Sequence, residues 1–163
     1  MLNDRLPIPT HLQAILMPVG EDDGEYQVTG ALRCSCGCEE FRVEWSNGRR
    51  LVRALCAACG REYLVFDEGR HGWDGFVCGS DGLDRTQPWQ RERCACGEDA
   101  FRVQVAIHSQ GQDDFVAESG LLQGPDDRFS PEDWVDAFEW ITISLACPLC
   151  GAVQEGWVDA ETM

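Results

Sequence analysis

The chain has 163 residues, in which 29 acidic side chains face 13 basic ones, all arginine, for a formal charge of −16. Such a surface lacks the Lys and Arg patches that displace counterions from a phosphate backbone, so direct nucleic-acid binding is disfavoured. No apolar stretch approaches the length that spans a bilayer, which sets a membrane-integral role aside.

Residues 1–30 read as an N-terminal lead-in. Leu6-Pro7-Ile8-Pro9 is extended, Thr10 is placed to cap a short helix through Met17, and Gly20 to Gly24 makes an acidic turn, so the segment is expected to pack as a brace. Its apolar run from Leu12 to Val19 is broken by Gln13 and Pro18 and has no small-residue cleavage site, unlike an export signal. The expected location is the cytoplasm.

Residues 31–68 hold the first copy of a motif that the chain writes twice. Arg33 to Val43 reads R-C-S-C-G-C-E-E-F-R-V, and Arg93 to Val103 reads R-C-A-C-G-E-D-A-F-R-V. A second cysteine pair follows each copy: Cys56-Ala57-Ala58-Cys59-Gly60, then Cys147-Pro148-Leu149-Cys150-Gly151. Structural zinc is held tetrahedrally, commonly by four thiolates that arrive as two close pairs. The glycine after each pair (Gly37, Gly60, Gly97, Gly151) permits a positive-φ turn that brings backbone amides toward the sulfurs. Two structural Zn2+ ions are therefore expected. One falls to Cys34, Cys36, Cys56 and Cys59, and the other to Cys94, Cys96, Cys147 and Cys150.

The first pair of each copy is Cys-x-Cys, one residue short of the usual spacing, and Cys38 leaves open whether it replaces Cys34 or Cys36. Aligning Phe41-Arg42-Val43 on Phe101-Arg102-Val103 sets Cys38 opposite Glu98 and favours the eight residues above. A disulfide framework is the alternative for ten cysteines, but such scaffolds are usually shorter and richer in cysteine.

Within the first ribbon, Phe41 to Trp45 alternates apolar with charged residues, Asn47-Gly48 suits a type I′ turn, and Arg49 to Leu55 returns to Cys56. Tyr63 to Phe66 reads as a third strand. Residues 69–92 form a connector holding His71, Asp74 and Cys78. These three could assemble a nucleophile with a base, or a third metal site with Cys38, but a packed turn anchored by Trp73 and Phe76 is the preferred reading.

Residues 93–163 are the second ribbon, with strands from Phe101 to Ile107 and from Trp140 to Leu145. Between them Ser109 to Arg128 reads as a mobile loop, and Ser130-Pro131-Glu132-Asp133 starts a helix whose face of Trp134, Val135 and Phe138 roofs the sheet. The acid pairs Asp113-Asp114 and Asp126-Asp127 read as solvated carboxylates in preference to a magnesium site. The expected fold is mostly β, a small α+β protein of two tandem zinc β-ribbons with a short N-terminal brace and one helix inserted in the second.

The combination of Cys-x-Cys-Gly and Cys-x-x-Cys-Gly with His71-Gly72-Trp73-Asp74, Asp136-Ala137-Phe138-Glu139-Trp140-Ile141 and the ending Glu161-Thr162-Met163 resembles a family of uncharacterised bacterial zinc-ribbon proteins. The resemblance implies the zinc-ribbon fold and a bacterial setting. It brings no activity with it.

Charge guides the functional expectation. Residues 1–80 carry 12 acids and 8 arginines, and residues 81–163 carry 17 and 5, so the second part holds a net −12 against −4. The leading expectation is a non-enzymatic, acidic protein-interaction module, an immunity-type inhibitor or an adaptor, that binds a basic protein. One alternative is a nucleic-acid-associated ribbon in transcription or RNA processing, standing on Arg42, Arg49, Arg50 and Arg53. Another is an enzyme using the His71/Asp74/Cys78 connector, although closed four-thiolate zinc leaves no open coordination position for catalysis.

Overall fold

Apolar residues recurring at every second position build the strands, since successive side chains in a strand point to opposite faces. A computed structural model describes residues 6–19, 26–79, 82–122 and 129–163. In it β1 is Leu16–Pro18, β2 Gln27–Leu32, β3 Phe41–Ser46, β4 Leu51–Cys56, β5 Glu62–Asp67, β6 Gln90–Arg91, β7 Ala100–His108, β8 Trp140–Ala146 and β9 Val153–Glu161. In β7, Phe101, Val103, Val105 and Ile107 are buried while Arg102, Gln104 and His108 are exposed. The same alternation puts Ile141, Ile143 and Leu145 of β8 into the core.

All pairings are antiparallel, and the sheet curls. β3-β4-β5 is the first ribbon and β7-β8-β9 the second. The β1–β2 hairpin extends the sheet by pairing β2 with β7 on the side opposite β8. The ribbons meet where Phe41 lies opposite Phe101. These two phenylalanines are equivalent positions of the repeat, so an antiparallel pair between them makes a local pseudo-twofold relation between the copies. Both are fully buried at 0% and 1% exposure, and one apolar cluster runs through both ribbons.

Several local expectations change. The lead-in helix shrinks to a single turn at Thr10–Leu12, because Leu16, Met17 and Pro18 pair instead with Leu32, Ala31 and Gly30. Thr10 caps nothing there; its amide and hydroxyl donate to the Asp136 carboxylate at 2.7 and 2.8 Å. The acidic turn at Gly20 to Gly24 lies outside the described residues. The hairpin connection spans four residues, since Ser46 pairs with Leu51, and φ is positive at Asn47 (52°), Gly48 (62°) and Arg49 (71°).

The segment read as a mobile loop contains the one α-helix among the described residues, α1, Gln112–Leu122. Asp113 and Asp114 in its first turn suit the positive end of the helix dipole. Phe115 inserts into a second apolar cluster with Trp73, Val77, Trp134, Val135 and Ala137. The start at Ser130 yields only a 3-10 turn, Pro131–Val135, with the Ser130 amide donating to the Asp133 carboxylate at 2.9 Å. Trp134, Val135 and Phe138 are buried, as a roof over the sheet requires.

Four distant segments converge behind the second ribbon. The amides of Gly72, Trp73 and Asp74 donate to the carbonyls of Asp136, Phe138 and Thr162 at 3.1, 3.0 and 2.7 Å. Gly72 has φ 74° and sits so close to Thr162 that a Cβ would overlap that side chain. The His71 ring stacks on His11 at 3.7 Å between centroids and 11° between planes. Thus the motifs around His71, Asp136 and Thr162 form one junction with the N-terminal lead-in.

Candidate metal centres

Each cysteine pair sits on a tight turn that the repeat reproduces. The Gly37 amide donates to the Cys34 carbonyl at 2.8 Å and the Gly97 amide to the Cys94 carbonyl at 2.9 Å. The Gly60 and Gly151 amides donate to the Cys56 and Cys147 carbonyls, both at 2.9 Å. The four glycines have φ of 95°, 96°, 76° and 76° in the order 37, 97, 60, 151, a region that side chains with a Cβ rarely enter.

These turns bring Cys34, Cys36, Cys56 and Cys59 into one group and Cys94, Cys96, Cys147 and Cys150 into another, with the four sulfurs of each group within 4.8 Å of one another. Across the pairs, Cys34 to Cys59 and Cys36 to Cys56 are both 3.5 Å, Cys94 to Cys150 is 3.5 Å, and Cys96 to Cys147 is 3.6 Å. A disulfide requires about 2.05 Å. A tetrahedral zinc with bonds of about 2.3 Å places its sulfurs about 3.8 Å apart, close to what is seen. Both groups fit a structural Zn2+ ion, and all ten cysteines are free thiols. In each group two sulfur-bearing residues are buried and two exposed.

Four thiols this close share protons unequally. The Tyr63 hydroxyl, then the Cys36 amide, bring Cys34 down to about 6, whereas Cys36 is pushed up to about 12: the Cys38 amide pulls it down, but the Cys56 and Cys34 thiols and burial outweigh it. In the second group the Cys150 amide leads in lowering Cys147 to about 7, and Cys96 rises to about 12 against the pull of the Glu98 amide. Zinc takes the deprotonated form, so loading releases protons and weakens as pH falls.

The other candidates go elsewhere. Cys38 lies 3.4 Å from both the amide and the carbonyl of Glu40. His71 accepts the Asp67 amide at Nδ1 (2.8 Å), while Asp74 and Cys78 are exposed. Among the described residues, the only groups of three or more potential metal ligands are the two cysteine sets. Accordingly, Cys38→Ser and Cys78→Ser should retain two zinc ions, while Cys36→Ser and Cys150→Ser should each lose one, measured as metal per chain. Zinc loss in Cys38→Ser would show a different ligand register in the first copy.

Tyr63 is the residue that pattern reading missed. Its hydroxyl lies 3.2 Å from the Cys34 sulfur, and the signal was its place four residues after Cys59.

The chain matches no family model, no curated protein and no solved structure. These comparisons support neither the bacterial zinc-ribbon family nor a bacterial origin; the two cysteine clusters suggest a tandem zinc-binding module. No helix among the described residues is long and apolar enough to cross a membrane.

Proposed function

We propose that the chain is a non-enzymatic, cytoplasmic protein-interaction module that zinc holds rigid and that binds a basic protein, as an adaptor or immunity-type inhibitor does. The observation that carries this reading is the engagement of its arginines. Arg42 pairs with Asp99, Arg49 with Glu92, Arg50 with Glu68, and Arg53 with Glu44 and Glu62. Arg91 adds Glu44 and Asp99, and Arg85 meets the buried Asp67 with both carboxylate oxygens.

Aromatic rings hold two of these cations further. The Arg49 guanidinium lies 4.7 Å from the Trp157 ring and 5.7 Å from Trp45, and Arg53 lies 4.2 Å from Trp89. The four arginines on which nucleic-acid binding would stand are thus engaged internally, and the surplus charge is acidic. Two zinc ions on eight thiolates carry the formal charge from −16 to about −20.

The wild-type protein is expected not to bind duplex or single-stranded nucleic acid at physiological salt, and to associate with a basic protein at a rate that falls as ionic strength rises. Charge reversal at Asp113 and Asp114, together with Asp126 and Asp127 outside the described residues, tests the insertion as the contact. Unchanged partner binding moves the contact off the insertion. Tight nucleic-acid binding by the wild type overturns the reading.

A further inference from the structure

The two zinc centres share one backbone shell and differ in their side-chain shell. Cys36 and Cys96 each accept the amide two residues on, from Cys38 and Glu98. Cys56 accepts the amides of Ala58 and Cys59, as Cys147 accepts those of Leu149 and Cys150. Cys59 accepts the Arg61 amide, and Cys150 the Ala152 amide. These contacts recur at both sites.

What does not repeat is Tyr63. Its hydroxyl reaches the Cys34 sulfur at 3.2 Å and the Ser35 hydroxyl at 3.4 Å, and the Arg61 guanidinium donates to that same Ser35 hydroxyl. In the second copy the equivalent of Tyr63 is Gln154, fixed by register as well as by spacing: Tyr63 pairs with Ala54, two residues before Cys56, and Gln154 pairs with Leu145, two residues before Cys147. Ala95 and Ala152 stand where the first copy has Ser35 and Arg61, so no side chain there can rebuild the network.

We propose that Tyr63 makes the first cluster a permanent zinc centre, and that the second cluster, lacking this hydrogen bond, is the exchangeable one and gives up its metal first. A donor aimed at a ligating sulfur fixes its orientation and stabilises its thiolate charge, and loss of such an outer-shell partner commonly costs 10–100-fold in metal affinity. Chain connectivity acts in the same direction. The first cluster closes a loop of 19 residues between Cys36 and Cys56, the second one of 50 between Cys96 and Cys147. By the three-halves-power dependence of loop closure on length, the longer loop disfavours the second site by about fourfold.

The experiment uses the full chain loaded with two Zn2+ ions, challenged with excess EDTA in the presence of N-ethylmaleimide. Native mass spectrometry follows metal loss, and peptide mapping shows which cysteines are alkylated. Release in two phases is expected, with Cys94, Cys96, Cys147 and Cys150 alkylated in the first and Cys34, Cys36, Cys56 and Cys59 at least tenfold later. Tyr63→Phe keeps the ring that packs edge-on against Phe41 but removes the hydroxyl, and it should bring the phases to within about fourfold of each other. Gln154→Tyr should slow the second site. First-cluster cysteines alkylated first, simultaneous release in the wild type, or an unchanged gap in Tyr63→Phe would overturn the proposal.

Discussion

Removing both zinc ions is expected to abolish the fold. Binding free energy at structural zinc sites is largely folding free energy, about 10 kcal/mol or more per site, whereas a whole domain is stable by about 5–15 kcal/mol. The geometry explains why the loss spreads beyond the knuckles. Cys34, Cys56, Cys94 and Cys147 belong to the apolar cluster that also holds Phe41 and Phe101, so freeing the thiols loosens both ribbons at their shared seam. Each zinc also ties together the two knuckles at the end of a three-stranded ribbon. Circular dichroism of the chelated protein should lose its strand signal, and an unchanged spectrum would contradict this account.

The second large effect comes from the junction. Acidification below pH 6.5 should weaken the fold through the stacked pair His11 and His71. Burial holds both rings neutral: His71 is lowered to about 3, first by burial and then by His11 and Arg70. His11 is lowered chiefly by burial, against the opposing pull of the Val65 carbonyl, Asp136 and Asp67. In the unfolded chain both titrate near 6.5, so the unfolded state binds more protons below that pH. The stability is therefore fully present above pH 6.5; the His71 part drains as pH falls toward 3, by up to about 1.4 kcal/mol per pH unit, and His11 adds a loss of the same sign below 6.5.

His71→Asn offers an acceptor for the Asp67 amide but cannot titrate. Its urea midpoint should change less steeply between pH 6.5 and 5 than that of the wild type, with zinc content followed in parallel to separate metal loss. An equally steep slope would remove His71 as the cause.

The repeat and the ribbon strands were legible because their causes are local. Two cysteines and a glycine define a knuckle wherever they stand, and alternation in Phe41–Ser46 and Ala100–His108 is visible one residue at a time. Helix α1 was hidden because its burial depends on distant partners. Phe115 meets Trp73 at 6.2 Å and Phe129 at 6.2 Å, while Ser119, polar in sequence, is buried at 2% exposure.

Leu16 and Met17 were read as helical for a related reason. Only their pairing with Leu32 and Ala31 decides for strand. Arginine pairing was equally invisible, since Arg42 meets Asp99 of the second ribbon and Arg49 meets Glu92 of the connector, both far away in sequence. The Tyr63 hydrogen bond could have been suspected only by comparing the copies position by position and asking why they differ.

Native mass spectrometry of the protein purified without added metal or chelator tests the tandem zinc module most directly. Two zinc ions per chain are expected, one for each four-cysteine cluster. A single zinc, iron in place of zinc, or a folded metal-free chain would contradict it.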